Sequence, residues 1–197
     1  MSETADQREA LTMRGWEDWQ KEYRFGVILI YPPEPILSRV NALRAEHDSR
    51  SHSYCDAHIS LTVPAPSAIA DDQWERLQSV AATYRAIRLT VGPIRVYPQH
   101  PGVTLAVEPQ AELARLCGSL ESVPPFTDAP PRRWPFSAHM TVAEYLTWEQ
   151  SERLAARLSS SVVPAEFECS AVSWAVPDEN FRFTERRRLP LGGAGAS

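Results

Sequence analysis

Two rhythms of apolar and polar positions run along this chain. Residues 24–31 (RFGVILIY) form an apolar run of strand length, closed by Pro32-Pro33. Ile36, Val40 and Leu43 then recur at helical spacing, with Pro35 suited to the first turn. A strand around His58 follows and ends near Pro64. Asp71 is placed to cap a second helix whose apolar side carries Trp74, Leu77, Val80, Ala81 and Tyr84. Residues 87–97 read as a further strand broken by Gly92-Pro93.

The order then repeats. Residues 103–107 predict a strand, and Leu113, Leu116 and Leu120 a helix. A Pro-rich loop over residues 123–135 leads into a strand around His139. Thr147-x-x-Gln150 has the form of a capping box for a helix that turns Leu154 and Leu158 inward. Residues 167–176 and 181–189 predict a closing antiparallel hairpin. The offset between halves is about 77 residues for the first strands and about 81 for the histidines, within the boundary error of such readings. Two similar lobes related by a pseudo-two-fold axis are expected, with the two histidine strands face to face across a central cleft. The fold class that follows is α+β, each lobe an antiparallel-rich sheet with helices on its outer face.

The chemistry sits in those two strands. His58-Ile59-Ser60-Leu61 and His139-Met140-Thr141-Val142 each place an imidazole and a hydroxyl on one face of an extended chain and two apolar side chains on the other. One such tripeptide carries little information: His47-Asp48-Ser49 has the same form but lies in the polar run 46–53, which reads as loop. The pair stands out because the surrounding pattern repeats with it. Two imidazoles and two hydroxyls suit an anionic substrate that needs a proton removed on one side and delivered on the other.

With both motifs in view, residues 24–189 resemble the two-histidine (2H) phosphoesterases, which include bacterial 2′-5′ RNA ligase-like proteins and cyclic nucleotide phosphodiesterases. The resemblance implies metal-independent hydrolysis of a 2′,3′-cyclic phosphate, or a related cyclic or 2′-5′ phosphodiester, on a nucleotide or RNA end. It implies His58 and His139 as catalytic acid and base in an order the sequence leaves open, Ser60 and Thr141 as phosphate ligands, and no cofactor. A non-catalytic nucleotide sensor and a ligase running the same site in reverse are the alternatives. Many relatives carry a basic residue just after the second motif, where this chain has Ala143-Glu144-Tyr145. Arg132 and Arg133 in the preceding loop are the substitutes, beside Trp134 and Phe136, which can stack on a base. Tyr31 is a further candidate for the cleft wall.

Composition narrows the partners. A chain of 197 residues with 43% hydrophobic content can fill a substantial core. A net charge of −5 argues against a broad surface for long nucleic acid, which needs many Lys and Arg contacts. A small nucleotide or RNA end is the expected partner, bound by a monomer. No run is long enough to span a membrane and the polar N-terminus lacks a signal-peptide core, so a cytoplasmic location is the default. Cys55, Cys117 and Cys169 form no disulfide framework. His52-x-x-Cys55-x-x-His58 has metal-like spacing but no second cluster to complete a ligand set, so no metal site is assigned. Residues 1–23 are expected to be helical, with Trp16, Trp19 and Tyr23 packed on the first lobe. Residues 24–190 form one bilobal domain and 191–197 a flexible tail.

Overall fold

The structure, a computed structural model, describes residues 13–192. The helical expectation for residues 1–12 and the flexible tail at 193–197 lie outside them. A short helix α1 (Asp18–Lys21) leads into strand β1 (Val27–Ile30). Helices α2 (Ile36–His47) and α3 (Ser49–Tyr54) come next, then β2 (Ile59–Ser60), α4 (Asp71–Ala82) and β3 (Ile87–Val96). The second half runs β4 (Val103–Glu108), α5 (Gln110–Glu121), a 3₁₀ turn (Phe126–Asp128), β5 (His139–Ala143) and α6 (Trp148–Leu158). Strands β6 (Ala165–Cys169), β7 (Ala171–Pro177) and β8 (Phe183–Pro190) close the chain.

The strands order as β6-β3-β4-β5-β2-β1-β7-β8, antiparallel throughout. Two four-stranded halves, β5-β4-β3-β6 and β2-β1-β7-β8, meet where Ile59 of β2 pairs with Met140 of β5. Each half repeats strand, helix, histidine strand, as the sequence repeat requires. The histidine strands are side-by-side neighbours at the seam, however, and do not face each other across a cleft. The apolar residues Ile59 and Met140 are fully buried, so joining the strands edge to edge also buries both motifs' apolar faces together.

The main core gathers Ile28, Ile30, Ile59, Leu61, Leu105, Val107, Met140 and Val142 with the inward sides of the helices: Val40, Leu77, Leu113, Leu116 and Leu154. Along β1, Ile28 and Ile30 enter that core. Val27 and Leu29 form a second cluster on the opposite face with Cys55 and Ala175, flanked by Tyr23, Tyr31 and Phe183. β1 is thus covered on both sides, which explains its unbroken apolar sequence. No helix among the described residues is long and apolar enough to cross a membrane.

Several local expectations change. Residues 167–176 fall in two strands in different halves, and the positions that enter the main core slip from odd (Phe167, Cys169) to even (Val172, Trp174) across Ser170. Phe181 lies in the β7–β8 turn, and β8 starts at Phe183. β3 passes through Gly92-Pro93 as a bulge and stays one strand. Ala70 occupies the N-cap of α4, with Asp71 its first residue. The polar stretch read as loop contains α3, which Asp48 caps by accepting from the Ser51 amide at 3.0 Å. Leu191, expected in the tail, is buried in the core.

Candidate active site

The seam creates the site. Extending the Ile59–Met140 register by one residue each way sets His58 opposite Thr141 and Ser60 opposite His139. Each imidazole therefore stands beside the other strand's hydroxyl. All four side chains line one cavity of about 270 Å³, together with Val27, Leu29, Arg44 and Glu144.

The histidines are held in matching ways. His58 Nδ1 lies 2.7 Å from the Asp56 carbonyl and His139 Nδ1 lies 2.7 Å from the Ser137 carbonyl. A carbonyl only accepts, so each Nδ1 carries the proton and each Nε2 is left with its lone pair. The residue before each histidine is held by a side-chain amide from the helix that follows the first strand of its half, α2 or α5. Asn41 Oδ1 accepts from the Ala57 amide at 2.7 Å, and Gln110 Oε1 accepts from the Ala138 amide at 2.9 Å. Gln110 also donates to the Ala138 carbonyl at 2.8 Å. On the first side, Arg182 from the β7–β8 turn donates to Asp56 at 2.8 Å and to the His52 carbonyl at 2.7 Å. The Tyr97 ring lies against His139, with centroids 4.3 Å apart.

Arg44 is the buried cation of the site. It is 2% exposed, and its guanidinium donates to the carbonyls of Thr141 (2.9 Å), Ser51 (2.9 Å) and Cys55 (3.0 Å). Its Nε has no hydrogen-bond partner among the described residues. One side chain thus joins the second motif to the segment that delivers the first. Asp48 adds a parallel tie, accepting from the Glu144 amide at 2.7 Å. Burial, and secondarily the Arg44 charge, push the His58 pKa down to about 4 from 6.5. Burial also lowers the pKa of His139, with the neighbouring His58 and His100 adding to it. Both imidazoles are neutral near pH 7 and can accept a proton at Nε2.

The other sequence candidates are dispersed. Tyr31 sits behind His58, ring centroids 6.4 Å apart, with its hydroxyl 3.7 Å from Cys55 Sγ. Arg132 is taken up by Glu121 (2.6 Å) and the Leu61 carbonyl (2.5 Å). Arg133, Trp134 and Phe136 border an adjoining cavity of about 250 Å³ that reaches Ser60 and His139. Pattern reading missed Arg44, Asn41 and Gln110, because a polar residue on an amphipathic helix normally faces water. It also missed an aromatic group at the cavity mouth: Trp19, Tyr23, Tyr54, Tyr145, Phe181 and Phe183.

A family model described as the 2'-5' RNA ligase superfamily matches residues 32–180. Comparison with curated proteins gives no match. Among solved structures, E. coli LigT complexed with NADP+ aligns with a TM-score of 0.54 at 17% identity, over 85% of this chain and 97% of that one. A structure described as a phosphoesterase gives 0.55 at 16% identity, over 85% and 98%. TT0787 of Thermus thermophilus gives 0.54 at 13% identity, over 86% and 98%. At these identities the structural likeness speaks to the fold.

Proposed function

Given that the chain belongs to the 2'-5' RNA ligase superfamily of 2H phosphoesterases, we propose that it hydrolyses a 2′,3′-cyclic phosphate, or a related phosphodiester, on a small nucleotide or RNA end without a metal. The observation that carries this reading is the single cavity shared by both imidazoles and both hydroxyls, with each Nε2 left open.

In the proposed reaction, phosphorus lies between the two rings. One neutral imidazole takes a proton from water at Nε2 as the water oxygen bonds to phosphorus. The opposite imidazole, protonated when the anionic substrate binds beside it, gives its proton to the ribose oxygen as that P–O bond breaks. Ser60 and Thr141 donate to the non-bridging oxygens and hold the charge that builds there. Arg44 supplies a fixed positive charge from below and Arg133 a second one from the loop. Two lobes already provide both motifs, so a monomer suffices.

The test is turnover of adenosine 2′,3′-cyclic phosphate in EDTA, followed by phosphorus NMR. Wild type is expected to give one phosphomonoester, with a loss of about 10²- to 10⁴-fold in His58→Ala and in His139→Ala. Undiminished turnover in either folded variant would overturn the assignment.

A further inference from the structure

The cavity that holds the histidines has an aromatic mouth for which phosphate chemistry has no use. Phe181 is buried at its centre, 3% exposed, with Trp16, Trp19, Tyr54 and Phe183 packed edge-on at centroid distances of 5.1–5.3 Å. Tyr23 stands 5.8 Å from Phe183 and 6.3 Å from Trp19. Two rings at this mouth stay open: Trp19 is 38% and Tyr145 54% exposed. Arg50 braces both sides, pairing with Glu17, donating to the Tyr54 hydroxyl at 3.0 Å and stacking 4.4 Å from the Tyr145 ring centre. Tyr145 and Phe181 hold positive φ angles of 55° and 60°, a region that bulky side chains avoid. Trp19, Tyr23, Phe181 and Phe183 all lie outside the residues matched by the family model.

Resting on the phosphoesterase reading, we propose that Trp19 and Tyr145 form a ring-binding subsite, so that the segment before β1 is part of the substrate site. The ligand class is a phosphate ester bearing a planar heteroaromatic group, such as a nucleobase, on the α1 side of phosphorus. Continuity decides the location. Trp19 and Tyr145 share their cavity with both imidazoles and both hydroxyls, whereas Trp134 and Phe136 border the adjoining one, which reaches only Ser60 and His139 of the four. Every base has a flat π-face, so stacking on open rings binds it with little dependence on its identity. Among the described residues, Glu144 is the one carboxylate lining this cavity, and it can accept from an amino group on the ring.

Calorimetry with adenosine 3′-monophosphate and with inorganic phosphate tests the subsite on wild type, Trp19→Ala, Tyr145→Ala and Trp134→Ala. Trp148→Ala, which removes an exposed tryptophan outside both cavities, is the control. Trp19→Ala and Tyr145→Ala are expected to weaken the nucleotide roughly 5- to 100-fold, with phosphate affinity within about twofold of wild type. Unchanged nucleotide affinity in both variants overturns the subsite, as does a parallel fall for phosphate, a larger loss in Trp134→Ala, or no binding to wild type. Turnover separates the two proposals. Ring-dependent binding without hydrolysis keeps the subsite and removes the reaction; hydrolysis with ring-independent binding does the reverse.

Discussion

Each of the two histidines directs Nδ1–H to the carbonyl two residues back, and this small arrangement sets its tautomer, its direction and its available nitrogen. The surroundings then set the charge. Arg44 opposes protonation of His58, whereas Glu144 and Asp56 favour it. Glu144→Gln removes a negative charge that favours the imidazolium, so the His58 pKa is expected to drop and the acid limb of kcat/KM to move to lower pH. NMR titration of the His58 ring reads this directly, and an upward movement would contradict the arrangement. Stability follows the same sign. The folded pKa lies below the unfolded value of 6.5, so the unfolded chain binds more protons between about 4 and 6.5. The His58 contribution is full above 6.5, is lost as pH falls through that window, and is gone below the folded value. The His-x-Ser and His-x-Thr spacing made these residues legible from the chain. Arg44 was not legible, because its partners are backbone carbonyls at residues 51, 55 and 141 that no local pattern connects to it.

At the scale of elements, periodicity carried most of the information. The runs giving β1 and β4, and the helical spacings of Leu77, Leu113 and Leu154, follow from burial of one face or both. Its failures share a cause. α3 has no apolar stripe; a cap from Asp48 and carbonyl contacts from Arg44 hold it instead. The β6–β7 break appears only as a slip in the parity of the residues that enter the main core, easily read as one long strand. Gly26 shows how an element is tied to its neighbour. It sits just before β1 with φ of +86°, and a Cβ there would lie 2.4 Å from the Ala175 carbonyl oxygen and 2.9 Å from the Trp174 ring. Gly26→Ala combines a disfavoured backbone with a clash against β7. A loss of at least about 2 kcal/mol is expected in urea unfolding; a variant as stable as wild type would mean that β1 and β7 pack less closely than described.

Across the whole molecule, the seam ties the packing of the two halves to the proposed site. Ile59 and Met140 are each fully buried, and their pairing both joins the halves and aligns the four polar side chains on the reverse face. Met140→Ala is expected to cost about 2–5 kcal/mol by opening a cavity. It should also lower kcat at temperatures where the variant remains folded, because His139 and Thr141 flank the altered residue. Unfolding curves paired with kinetics check both, and a destabilised variant with wild-type kcat would uncouple the seam from the reaction. The sequence by itself determined the α+β class, the repeated order of elements and the two motifs, because those are properties of consecutive residues with a fixed side-chain period. Only the tertiary structure decided that the histidine strands are neighbours, that Arg44 bonds to the second of them and that Trp19 and Tyr145 line the cavity they share. Such pairings depend on burying apolar faces contributed by residues far apart in the chain, and no local spacing encodes which face meets which.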